Sequence, residues 1–114
     1  MQVDNEEKKR YLLSYQQSKR AVKRLEQELQ EVEEMGEVEE IQEKIKRERQ
    51  QQIKRYERVR QQVEAMEEER EKDALIYKYI CGMTEDAAAK KMGYTKRQFQ
   101  RINKKALEHF EVCR

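Results

Sequence analysis

The amino-acid sequence predicts an all-α protein in which a long helical arm precedes a group of shorter helices. Its 114 residues include no proline and only three glycines, and 44% of them are charged. Hydrophobic residues make up 36%, too few to form one large core. Because Glu, Lys, Gln, Arg and Leu are abundant, long helices with narrow apolar seams are favoured over a disordered chain.

The first half of the chain carries two apolar seams with helical spacing. The first helix can be capped by Asp4 or Asn5. With a serine included, the first seam is a continuous heptad pattern: Tyr11, Tyr15, Ser18, Val22, Leu25, Leu29 and Val32. The second seam comprises Ile45, Ile53, Tyr56, Val59, Val63 and Met66. We assign residues 1–66 to a helical coiled-coil or dimerisation arm and 67–114 to a separate C-terminal domain.

The phase of the apolar pattern changes around Gly36. Apolar residues there step by three rather than alternating three and four: Val32, Met35, Val38 and Ile41. Either the chain turns near Gly36 to form a helical hairpin, or one helix runs from about residue 6 to residue 81 and needs a partner to cover its seam. No further helix breaker occurs before Gly82, so the last helix of the arm is expected to continue that far.

The charge pattern favours the continuous helix, whereas the apolar pattern favours the hairpin. Residues 8–24 carry seven Lys or Arg and no acid, 26–43 carry nine Glu and no base, and 44–60 carry eight bases against two acids. A hairpin places like charges side by side, whereas two continuous antiparallel helices would oppose unlike charges. Exposed ion pairs contribute only about 0–1 kcal/mol each. The break in the apolar seam, which would cost buried area in one continuous helix, therefore outweighs the charge pattern, and we favour the hairpin. Self-association is expected in either case.

The C-terminal segment has the pattern of two short helices joined by a tight turn. Gly82 marks a helix end, and Thr84 can cap the next helix. Gly93 permits a left-handed residue at the following turn. Thr95 can then cap the last helix, with Gln98 completing a capping box. A basic helix after such a turn is typical of the DNA-binding helix-turn-helix.

The last predicted helix, residues 95–110, is amphipathic. One stripe is apolar: Phe99, Ile102, Ala106, Leu107 and Phe110. Arg and Gln can each form paired hydrogen bonds with base edges in the major groove, so the candidate base-reading residues are Arg97, Gln100 and Arg101. Candidates for phosphate contact, which set affinity rather than sequence preference, are Lys90, Lys91, Thr95, Lys96, Lys104 and Lys105. An ordinary solvated helix face is the alternative interpretation.

Residues 75–110, LIYKYICGMTEDAAAKKMGYTKRQFQRINKKALEHF, resemble region 4 of bacterial sigma-70-type factors. They are still more similar to the sigma-region-4-like domain of the phage-encoded ArpU/RinA group of late-transcription activators. The similarity lies in Tyr-Ile-x-Gly at 79–82, Met-Gly-Tyr at 92–94 and Arg-Gln-Phe-x-Arg-Ile at 97–102. It departs at Glu85 and Ala88, where the family prefers larger apolar residues. The resemblance implies a promoter-binding regulator that also contacts RNA polymerase.

Other chemistry is not indicated. Cys81 and Cys113 are too few and too far apart for a zinc motif, and His109 has no ligand-spaced neighbour. We expect no enzymatic activity, no metal and no cofactor. Without an apolar signal or a membrane span, the bacterial host cytoplasm is the expected location.

Three functions remain open from the sequence. The leading hypothesis is a dimeric DNA-binding transcription regulator of a phage or mobile element. A small terminase-like packaging subunit would also combine a helix-turn-helix with helical oligomerisation regions. A coiled-coil scaffold without specific DNA binding is the third. The Glu-rich stretch 26–43 is expected to be a solvated tip, with docking to a basic partner such as RNA polymerase as the alternative.

Overall fold

The protein is built from two long helices followed by several short ones. The computed structural model describes residues 3–36 and 39–112. No strand lies within these ranges, so the predicted all-α class is confirmed. The elements are α1 (Asn5–Glu34), α2 (Glu39–Glu64), α3 (Glu69–Leu75), a π-helical segment (Ile76–Ile80), α4 (Glu85–Met92) and α5 (Lys96–His109).

Helix α1 begins at a capped N-terminus and buries the predicted seam. The Asp4 carboxylate accepts a hydrogen bond from the Glu7 backbone amide at 2.8 Å. The seam prediction is confirmed except at its two ends: at the start Leu12 is fully buried and Tyr11 only half-buried, and at the end Val32 is half-buried. The buried residues of α1 are Leu12, Tyr15, Ser18, Val22, Leu25 and Leu29.

The chain reverses near Gly36, so the hairpin prediction is confirmed. The Gly36 backbone adopts φ +70°, which closes α1 with a left-handed residue. Helix α2 then packs along α1. Ile45 lies against Leu29 near the tip of the arm, where the chain reverses. The rings of Tyr15 and Tyr56 lie 5.5 Å apart nearer the root of the arm, where α1 begins and α2 ends. Burial of the seam outweighs the unfavourable neighbourhood of like charges on the two helices.

The prediction that the arm's last helix runs on towards Gly82 is wrong. Helix α2 ends at Glu64, and the chain turns through residues 65–68 before α3 begins. The Glu68 carboxylate caps α3 by accepting hydrogen bonds from the backbone amides of Arg70 at 3.3 Å and Glu71 at 2.9 Å. This break lets α3 leave the axis of the arm and pack beneath α5.

The root of the arm and the C-terminal helices share one apolar core. Leu12 and Val63 from the hairpin meet Leu75, Leu107 and Phe110 in a single buried cluster. A second cluster holds α3, α4 and α5 together through Ala74, Ala88, Ala89 and Phe99. The division predicted between residues 66 and 67 coincides with the loop before α3, but the packing there is continuous. The assignment of residues 67–114 to a separate domain stays a prediction.

Two polar contacts also join α1 to the C-terminal helices. The Lys8 ammonium donates to the carbonyl oxygens of Leu107 at 2.8 Å and Glu108 at 3.0 Å, at the C-terminal end of α5. The Gln16 amide donates to the carbonyl oxygen of Ile80 at 2.6 Å, where the π-helical segment ends. Both contacts satisfy helix carbonyls that lack an intrahelical partner. None of the described helices is long and apolar enough to cross a bilayer.

Candidate nucleic-acid interface

The turn between α4 and α5 forms as the sequence predicts. Thr84 caps α4 by accepting from the Ala87 backbone amide at 3.1 Å. Gly93 adopts φ +77° after α4, and the following Tyr94 amide donates back to the Ala89 carbonyl at 2.9 Å. This arrangement closes α4 and redirects the chain within three residues, because only glycine enters the left-handed region without steric cost.

A capping box starts α5. The Thr95 hydroxyl accepts from the Gln98 amide at 3.1 Å, and the Gln98 side chain accepts from the Thr95 amide at 2.9 Å. Both contacts satisfy amides that the helix itself leaves unpaired. The Thr95 hydroxyl proton remains available to a phosphate, whereas the oxygen of the Gln98 side chain is occupied.

The apolar stripe of α5 anchors the helix over its full length. Phe99 is fully buried against Ala74, Ala88 and Ala89, where small side chains allow α4 and α5 to approach closely. Toward the other end, Leu107 enters the core shared with the arm. Phe110 is also buried there, just beyond the last residue of α5. With its back held at both ends, the helix presents its opposite face to solvent.

The predicted base-reading residues lie on that exposed face. Arg97, Gln100 and Arg101 are all exposed. Neither arginine has an ion-pair partner among residues 3–36 and 39–112. All three belong to the N-terminal half of α5, the part that enters the groove in helix-turn-helix proteins.

Gln100 has a partner that the sequence did not predict. Its side-chain amide donates to a carboxylate oxygen of Glu85, on α4, at 2.8 Å. The other oxygen of Glu85 accepts from the Lys78 ammonium at 3.2 Å. The hydrogen bond from Gln100 and the contact with Lys78 hold the pKa of the Glu85 carboxyl below its ordinary value of 4.5. Glu85 is therefore a carboxylate at neutral pH that orients Gln100.

The predicted phosphate-contacting residues surround the same face. All six are exposed: Lys90, Lys91, Thr95, Lys96, Lys104 and Lys105. The Lys96 ammonium lies 3.8 Å from the Asp86 carboxylate, a contact between two exposed groups. The four other lysines have no ion-pair partner in the described part of the chain. An unpaired ammonium is free to neutralise a phosphate.

Two further polar side chains of α5 have partners that the sequence did not indicate. The His109 ring nitrogen Nδ1 lies 2.6 Å from the buried carboxylate of Glu71. Asn103 is buried beside Tyr79, whose phenol has a pKa raised chiefly by burial. These contacts tie α5 to α3 and the π-helical segment, so both side chains have structural roles. Sequence spacing gave no signal for pairs so far apart along the chain.

Tyr79 belongs to the core rather than to the exposed face, since only 3% of the residue's surface is exposed. Within residues 3–36 and 39–112, no group of three His, Cys, Asp or Glu side chains is arranged to hold a metal ion. The exposed face of α5 carries guanidinium, ammonium and amide groups, which suit it to binding by charge and hydrogen bonding.

Comparisons with known proteins do not identify a family. No protein-family model, curated protein or solved structure matches this chain. The resemblance of residues 75–110 to sigma region 4 therefore stays a prediction that rests on the motifs quoted above.

Proposed function

We propose that this protein is a sequence-specific, double-stranded DNA-binding regulator of transcription that reads the major groove with α5. The resemblance to sigma region 4 suggests a phage or mobile element as its source, the bacterial cytoplasm as its location and RNA polymerase as a further partner. The N-terminal hairpin supplies the means of self-association, most simply as a homodimer.

One observation carries this proposal. An exposed cationic face, with both arginines free of ion-pair partners among the described residues, lies on a helix that is capped immediately after a left-handed glycine turn. A purely solvated helix would not need this turn, or a buried phenylalanine holding α5 against α4. The turn and the buried Phe99 hold α5 against α4 with its N-terminal half exposed, as is typical of the helix that enters the groove in helix-turn-helix proteins.

The division of labour follows from side-chain chemistry. Arg97 and Arg101 carry planar donors that match the two acceptors on a guanine edge, while Gln100 matches an adenine edge. The surrounding lysines are point charges that suit phosphates. Each phosphate neutralised is expected to contribute a slope of about −0.9 to the dependence of log K on log salt concentration.

The test is selection of bound DNA from a random pool, followed by measurement of the mass of the complex and of its salt dependence. Enrichment of one sequence, with two protein copies per site and a steep salt slope, would support the proposal. A closed ring of many subunits would favour a packaging role instead. Failure to enrich any sequence would leave only the scaffold hypothesis.

A further inference from the structure

Acidic and basic residues are segregated along the length of the hairpin arm. Its tip is acidic on both helices: residues 26–43 contain nine Glu and no base. Its middle is basic on both helices, since 19–24 contain four bases and no acid, and 44–60 contain eight bases against two acids. Within one hairpin the basic stretches of the two helices lie side by side near Tyr15 and Tyr56, whereas the start of the second stretch, at Ile45, lies beside the acidic part of α1 at Leu29. In two arms placed antiparallel, each tip would face the other's middle.

The acidic tip also exposes apolar side chains. Met35 is 73% exposed and Ile41 43% exposed. Both belong to the apolar line that rotates away from the heptad seam, so the hairpin leaves them outside its core. Exposed glutamates flank them on both helices: Glu33, Glu34, Glu39 and Glu40.

The position of two of these glutamates disfavours the isolated helix. Glu33 and Glu34 lie in the last turn of α1, which carries no basic residue. The C-terminal end of a helix is the negative end of its dipole, where acidic side chains are unfavourable. A cationic surface outside the hairpin would offset this unfavourable interaction.

A groove in the middle of the arm has the complementary chemistry. It has a volume of about 310 Å³, and its floor is formed by Val22 and Tyr56. Lys19 lies with its ammonium 6.0 Å from the Tyr56 ring centroid. The rest of the lining is Arg20, Lys23 and Glu26, so the groove carries three basic residues against one acidic residue. An apolar floor with a cationic rim fits an apolar side chain surrounded by carboxylates.

We propose that two copies of this chain associate through reciprocal contacts, with the Met35 tip of each arm in the Val22–Tyr56 groove of the other. The flexible methionine side chain is well suited to filling a shallow groove. Met35 lies thirteen residues beyond Val22 along α1, or about 20 Å at the helical rise. Two antiparallel arms overlapping by that length make both contacts at once, as a two-fold dimer requires.

This arrangement rests on the homodimer of the proposed function, but it can be tested independently of DNA binding. The two arm roots would lie about 70 Å apart, from the same helical rise applied to residues 5–22 on either side of the overlap. The C-terminal helices of the two copies would therefore be at opposite ends of the assembly.

Charge reversal tests the arrangement on the free protein. Glu33→Lys/Glu34→Lys places two positive charges beside Met35, and Arg20→Glu/Lys23→Glu makes the groove acidic. Each variant alone would place like charges at both contacts and is expected to raise the dissociation constant about tenfold or more. An equimolar mixture would regain opposite charges at both contacts, and so would one chain carrying all four changes.

Sedimentation equilibrium on the full chain at low salt measures these outcomes, with circular dichroism showing that helix content is retained. The matched control is Glu67→Lys/Arg10→Glu, which reverses exposed charges outside the tip and the groove. Dimers weakened by each variant and restored in the mixture would establish the contact. A monomeric wild type, as expected if a basic protein occupies the tip instead, would overturn the proposal. So would a dimer insensitive to both variants, or an open-ended polymer.

Discussion

The Gln100 side-chain amide donates to the Glu85 carboxylate at 2.8 Å, across the turn between α4 and α5. Glu85 is in turn held by Lys78 at 3.2 Å, so the carboxylate has a fixed position. A carboxamide nitrogen has two protons, and Glu85 uses one of them. The second proton and the amide oxygen remain for a base edge. A carboxylate on α4 thus fixes the orientation of the Gln100 amide, and in the proposed complex it would set the direction from which Gln100 meets DNA.

Removing Glu85 is expected to relax base preference. In Glu85→Ala, Gln100 rotates freely and loses its orientation, so discrimination at one base pair should fall by a factor of about ten, the order of one good bidentate contact. Affinity for random DNA should rise slightly, because a negative charge near the phosphates is lost. Binding to the selected sequence and its single-base variants measures both effects.

Asp86→Ala provides the control for Glu85→Ala. Asp86 is the neighbouring acid, is exposed and lies near Lys96 rather than Gln100. Its removal changes the net charge of α4 by the same amount as Glu85→Ala but leaves the hydrogen bond between Gln100 and Glu85 in place. It should raise non-specific affinity without altering base preference. Equal loss of preference in both variants would show that charge, not orientation, is responsible.

Arg101 and Lys104 are expected to differ in what they contribute to binding. Both lie exposed on α5, one turn apart. Arg101→Ala should weaken the selected sequence by about 1–3 kcal/mol and random DNA much less. Lys104→Ala should weaken all sequences alike and make the salt slope less steep by about 1. Titrations of both variants at several salt concentrations decide this, and equal losses on selected and random DNA for both would contradict the assignment.

The features of this site that the sequence predicted are local ones. The capping box of Thr95 and Gln98 and the left-handed Gly93 each depend on residues within a few positions of one another. Their chemistry can therefore be read directly from spacing. The hairpin was also predictable, because its apolar seam changes phase beside the glycine that closes α1.

The features that the sequence missed depend on tertiary packing. The break after α2 contains neither glycine nor proline, and it is stabilised by a Glu cap on α3 and by the core that receives Leu75. The pair Gln100–Glu85 spans 15 residues and His109–Glu71 spans 38. Such pairs form only once the helices have packed together, so no local sequence pattern predicts them.

Gly93 is expected to tolerate asparagine better than alanine. Its φ of +77° is unfavourable for other residues, yet a Cβ there would meet no atom within 4 Å. Gly93→Ala should therefore lower the free energy of unfolding by about 1 kcal/mol through backbone strain alone. Gly93→Asn should cost less, because asparagine enters the left-handed region more readily. Urea denaturation of the three proteins measures the difference.

Gly36→Ala is the matched control for the turn. Gly36 has a similar φ of +70° and equally open surroundings. Its replacement should cost a similar amount of stability but leave DNA affinity unchanged, since it lies at the tip of the arm. Gly93→Ala should reduce DNA affinity as well, because it strains the turn that positions α5. A Gly93→Ala protein with normal affinity would show that α5 does not depend on this turn.

Stability is expected to fall on acidification through two carboxylates with lowered pKa values. Hydrogen bonds from the Glu71 backbone amide lower the pKa of Glu68, and the Gln100 hydrogen bond lowers that of Glu85, both from 4.5. A group whose pKa is lower in the folded state stabilises the fold above its unfolded pKa, and this contribution disappears as pH falls through the folded value. The loss should therefore begin near pH 4.5 and continue below it.

Unfolding in urea between pH 7 and pH 3 should be less pH-dependent in Glu68→Gln/Glu85→Gln than in the wild type. A Glu67→Gln/Glu108→Gln control, which changes two exposed carboxylates, should follow the wild-type curve. If all three proteins lose stability in parallel, other carboxylates govern the acid response.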